Sequence, residues 1–245
     1  MKKVNGLFVP AIFLLLEDLV MLFLIRKNGG NIQAGIISFF LITFWGLVCS
    51  EVQSDFHEVG HLLGGFFTGY RLVFLRVGPV LIIPKHRTLL IFKNKKKENQ
   101  CVMMPRVMNT RVPYILYNAG GFLLNMILSI ISAYVFVIHF FNQKHLEIVS
   151  LAWSIFFLSM FFTGVLKVFL NIIPSSAEKK PNDFETILLL RKKVKIQHDY
   201  ACYLCFFGAL QLGIKTNSNS FRYNRKKEND RDSLLFYEAL NDLLK

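Results

Sequence analysis

Residues 32–67 read IQAGIISFFLITFWGLVCSEVQSDFHEVGHLLGGFF, and this stretch decides what kind of protein the chain is. Its first half, residues 32–49, is apolar enough to cross a membrane. Its second half carries Ser50, Glu51, Ser54, Asp55, His57, Glu58 and His61, and residues 57–61 match H-E-x-x-H. At about 100° per residue, Ser50, Ser54, His57 and His61 share one helical stripe, and Glu51, Asp55 and Glu58 fall on the adjoining one. Val48, Val52, Phe56, Val59 and Leu63 face away. Such a polar wedge must face protein or water, because lipid offers it no hydrogen-bond partner.

The spacing points to metal chemistry. Side chains four apart stack with Cβ atoms about 6 Å apart, so both imidazoles can close on one Zn²⁺ at about 2.0–2.1 Å. Glu58, rotated by about 100° from His57, is placed to address a water molecule rather than to join the ligand set. A buried structural pair of histidines is the competing reading. It leaves two imidazoles and a carboxylate at bilayer depth with nothing to offset their cost.

Composition agrees with a membrane class: 53% of residues are hydrophobic, 25 are Phe, and mean hydropathy is +0.41 despite a formal charge of +13. The basic residues fall between and after the apolar runs, as in cytoplasmic loops, so nucleic-acid binding is not expected. The N-terminal apolar run lacks the layout of a cleaved signal peptide and is expected to stay as an anchor. Cys49, Cys101, Cys202 and Cys205 lie in or beside apolar or cytosolic stretches, which argues against a disulfide framework; Cys202 and Cys205 read as buried thiols.

The expected fold is an all-α polytopic membrane protein with about four transmembrane helices, over residues 7–25, 32–67, 112–141 and 146–173, a cytoplasmic-side β-hairpin insertion and a small helical cytosolic tail. The first span carries Pro10, Glu17 and Asp18. Residues 1–31 form an N-terminal anchor, 32–185 a core and 186–245 the tail. Lys2, Lys3, the basic residues between 71 and 111 and those after 174 lie on one side of such a bundle, against Arg26, Lys27 and Lys144 on the other. The positive-inside rule then puts both termini and the 70–111 segment in the cytoplasm, in a cell membrane expected to be bacterial.

With these features in order, the chain resembles the site-2 protease family of intramembrane zinc metalloproteases. The resemblance covers residues 33–184. It rests on the motif helix, on the intervening segment with strand character at 72–84 and 88–105, and on Gly120-Gly121-Phe122-Leu123-Leu124-Asn125, similar to A-G-P-x-x-N with Phe122 in place of Pro. Asn171-Ile172-Ile173-Pro174, followed by Pro181-Asn182-Asp183, is similar to the family's N-x-x-P…D-G, although Lys179 stands where its Asp is usual and Phe184 where its Gly is.

The resemblance implies that Asp183 completes the zinc site of His57 and His61, with Glu178 as the other available carboxylate. It implies Glu58 as general base and Asn171 as a donor that orients the substrate backbone or its oxyanion. The expected partners are the lipid bilayer and a membrane-inserted peptide or protein substrate. The 72–105 hairpin either pairs with an unwound substrate as an edge strand or only packs over the active site. A non-catalytic membrane peptide-binding or immunity protein on the same scaffold is the alternative function.

Overall fold

The computed structural model describes residues 8–27, 29–84, 88–91, 99–105, 113–142, 148–173, 181–192, 196–197 and 200–204. The described chain is mostly helical: α1 (Phe8–Lys27), α2 (Ile32–Phe67), α3 (Ile115–Phe141), α4 (Ile148–Ile172) and α5 (Asp183–Lys192). Between α2 and α3 lie four strands, β1 (Tyr70–Val77), β2 (Val80–Ile83), β3 (Thr88–Ile91) and β4 (Gln100–Pro105).

Among the described residues three helices, α2, α3 and α4, are long and apolar enough to cross a membrane. At 36 residues, α2 rises about 54 Å, well beyond a hydrocarbon core of about 30 Å. The excess accommodates the polar second half of the helix. The first expected span corresponds to α1, whose 20 residues carry Glu17 and Asp18 near their centre.

The chain divides into two compact units, Met1–His57 with Phe122–Asn171, and Glu58–Gly121 with Ile172–Lys245. The apolar interior of the first unit gathers Met21, Ile25, Ile42, Phe136, Phe140, Leu151, Ile155 and Leu158. Polar groups are buried beside it and tied down by hydrogen bonds: Ser159 Oγ donates to Glu17 Oε1, and Gln53 Nε2 donates to Met160 O at 3.0 Å. Lys167 Nζ donates to Ser54 Oγ at 2.7 Å, so the one lysine within α4 sits against the polar wedge of α2.

In the second unit the expected hairpin resolves into a four-stranded antiparallel sheet of order β3-β2-β1-β4. The segment expected as one strand over 72–84 breaks because Gly78, at φ 53°, and Pro79 form a tight turn that pairs Val77 with Val80. The 88–105 segment likewise contributes β3 and β4, whose intervening residues 92–98 lie outside the described set. Tyr70, Leu75, Cys101, Met103, Tyr114, Tyr117, Leu190, Ile196, Tyr200, Ala201 and Leu204 form the principal core of this unit. The tail thus contributes Leu190, Ile196, Tyr200, Ala201 and Leu204 to that core; residues 205–245, including the stretch expected as a second tail helix, lie outside the described residues.

Within this unit α2 and α3 approach backbone to backbone. A Cβ placed on Gly60 would overlap the carbonyl of Gly120, and one on Gly120 would overlap that of Gly60; Gly64 meets Leu116 O in the same way. Small residues at a helix crossing permit this proximity. It is what brings the carbonyls at the start of α3 within reach of the motif helix.

Candidate metal centre

His57 and His61 lie one turn apart on α2, as their spacing requires. His61 is buried, and its Nδ1 is 2.8 Å from Tyr117 O. A carbonyl can only accept, so this bond places the ring proton on Nδ1 and leaves the Nε2 lone pair for an electrophile. On that side Nε2 lies 3.3 Å from Asp183 Oδ2.

Asp183 is delivered by its neighbour. Asn182 Oδ1 accepts the Glu185 N–H at 2.8 Å, the bond of an N-cap, while Asn182 Nδ2 donates to Ile173 O at 2.6 Å. Thr186 adds bonds from its backbone N and its Oγ1 to Asn182 O, both 2.8 Å. Asp183 is therefore the first residue of α5, in a first turn where the helix dipole favours an anionic side chain. Glu178, the other carboxylate considered, lies outside the described residues.

The ligand atoms of His57, His61 and Asp183 all lie within 4.8 Å of one another. Donors held tetrahedrally at about 2.1 Å from one ion are about 3.4 Å apart. His61 and Asp183 already stand at that separation. Two imidazoles and one carboxylate can hold a divalent ion with a coordination position left over, and this donor set suits several first-row metals. Cys101 is not part of this group of donors, and burial, reinforced by the nearby Glu58 charge, pushes its thiol well above the usual range.

Glu58 does not belong to that cluster. Its Oε2 accepts the backbone N–H of Cys101 at 2.6 Å, so β4 fixes the orientation of the carboxylate. Tyr117 Oη in turn donates to Cys101 O at 3.1 Å. Both backbone groups of Cys101 are thus engaged outside the sheet, and β4 is not a bare edge at that point. Asn171 donates from Nδ2 to Lys167 O at 3.1 Å, turned back on its own helix.

Two supporting residues carry no role in the reading of the sequence. Tyr117 acts through its backbone carbonyl, which no side-chain pattern reveals. Asn125 is a fully buried amide in an apolar helix, and its side-chain nitrogen lies 3.5 Å from His57 Nδ1; the A-G-P-x-x-N-like run that it closes marks the position in the sequence but assigns it no role. Comparison with protein-family models, with curated proteins and with solved structures finds no match to this chain.

Proposed function

We propose that the chain is an intramembrane metalloprotease of the site-2 type, which hydrolyses a peptide bond in a membrane-inserted peptide or anchored protein. The observation that carries this reading is the convergence of His57, His61 and Asp183 with Glu58 on the same helix turn. The resemblance adds zinc as the metal; the apolar run at 7–25 adds α1 as a fourth span, and the positive-inside rule adds cytoplasmic termini, in a cell membrane expected to be bacterial.

His57, His61 and Asp183 would hold a divalent ion, which when bound would supply the Lewis acidity that makes water a competent nucleophile near neutral pH. Glu58 takes a proton from the attacking water and returns it to the leaving amide nitrogen. Its carboxylate is steadied for this by the Cys101 N–H. Asn171 supplies an N–H donor to the substrate carbonyl after it releases Lys167 O. A helical substrate must unwind first, since its carbonyls are otherwise engaged in the helix.

The same Cys101 bond favours a second reading, a non-catalytic peptide-binding or immunity protein, in which β4 holds Glu58 permanently. The two readings part on one experiment. Purified chain in detergent, isolated without chelator, is assayed for bound metal and for cleavage of a panel of single-span peptide reporters, with Glu58→Gln alongside. Metal with Glu58-dependent cleavage supports the protease; reporter binding without cleavage supports the binder; metal-free protein counts against the protease.

A further inference from the structure

Asn125 sits in α3 with no exposed surface, and Nδ2 is the end of its amide that faces His57 Nδ1, at 3.5 Å. Its Oδ1 is buried with no hydrogen-bond partner. In that orientation an amide N–H points at Nδ1, which makes Nδ1 the acceptor and sends the ring proton of neutral His57 to Nε2. A protonated Nε2 cannot ligate.

The two ends of an amide are nearly identical in size, so exchanging them leaves the packing untouched. Once exchanged, Oδ1 accepts the Nδ1–H of His57, the stranded oxygen gains a partner, and the Nε2 lone pair is freed. His61 already shows this pattern through Tyr117 O. Tyr117 and Asn125 are eight residues apart on α3, so one helix presents an acceptor to each imidazole.

We propose that Asn125 is a positioning residue for the metal centre, its Oδ1 accepting the Nδ1–H of His57 and so holding Nε2 toward the ion. This rests on His57, His61 and Asp183 being ligands. The surroundings of Asn125 suit the role. Ser129 Oγ donates to Asn125 O at 2.7 Å, and the absence of a side chain at Gly164 leaves room for Ser129 and for Gln53, whose Nε2 would lie 2.6 Å from a Cβ there. Packing alone would be served as well by Leu, without the cost of burying an amide in an apolar helix. A supporting acceptor of this kind contributes roughly 10–100-fold in metal affinity.

The test measures Zn²⁺ and Co²⁺ affinity of the full chain in detergent by chelator competition, for wild type, His57→Ala, Asn125→Leu and Asn125→Asp. Asn125→Leu is expected to weaken both metals by about 10–100-fold and to alter the visible Co²⁺ spectrum. Asn125→Asp, which restores an acceptor, is expected to recover the affinity and the wild-type spectrum. In loaded wild type, ¹⁵N shifts of His57 should show Nδ1 protonated and Nε2 bound to metal. Wild-type affinity in Asn125→Leu overturns the proposal, as does equal loss in both Asn125 variants with lowered melting of the metal-free chains, or Nδ1 ligation in the NMR spectrum. If wild type binds no better than His57→Ala, the metal centre itself is wrong, which is a distinct result.

Discussion

Asp183 Oδ2 stands 3.3 Å from His61 Nε2, at the start of a helix that Asn182 caps. The aspartate reaches the histidine from the first turn of α5, and Asn182 ties that turn both to Glu185 N and back to Ile173 O.

Asn182→Ala should therefore weaken metal binding without removing a ligand. Loss of an N-cap costs about 1 kcal/mol, and the expected readout is a measurable drop in metal affinity together with a lower melting temperature. Unchanged affinity would mean that Asp183 is held by something else.

Asp183→Ala should lose metal and cleavage together, by more than the roughly 10–100-fold that a supporting contact contributes. Glu178→Ala is expected to leave both within the range of a surface substitution, about 0.5 kcal/mol. The reverse ranking in a metal titration would transfer the ligand role to Glu178.

Glu58→Gln should keep its metal, because Glu58 lies outside the cluster of His57, His61 and Asp183. Turnover should fall by roughly 10²-fold or more with the general base gone. Cleavage at the wild-type rate would take Glu58 out of the chemistry.

Gly60→Ala should destabilise the protein by about 1–3 kcal/mol or more, since the new Cβ meets the Gly120 backbone rather than a movable side chain. Thermal melting in detergent reads this directly. A stability equal to wild type would show that the folded protein does not depend on the close crossing of α2 and α3.

Cysteine-labelling at positions 95 and 142 tests the orientation. Position 95 lies in the basic segment and should be cytoplasmic; Asn142, at the end of α3, should be on the opposite side. Labelling of position 95 from outside would reverse the topology.

The motif helix was legible because its signal is local: His57 and His61 share a stripe wherever the helix goes, and Ile32 to Phe67 is one helix. The turn at Gly78-Pro79 was equally local, yet the two long strand segments hid it, and the sheet has twice the strands of a hairpin. Asp183 came into view only through resemblance, since nothing in its own neighbourhood indicates that α5 returns it to His61. Asn125, Tyr117 and Cys101 act through an amide end or a backbone group on a neighbouring element. Their roles exist only once Gly60, Gly64 and Gly120 let the α2 and α3 backbones meet.

Glu17 has a consequence for how α1 is regarded. A helix that served only as a leash would turn its polar residues away from the bundle, but Glu17 is 1% exposed and accepts a hydrogen bond from Ser159 of α4, itself fully buried. Without α1, the hydroxyl of Ser159 would lose its carboxylate partner. The first helix is thus a structural stave of its unit, and trimming it would unseat α4 rather than merely release the protein from a tether.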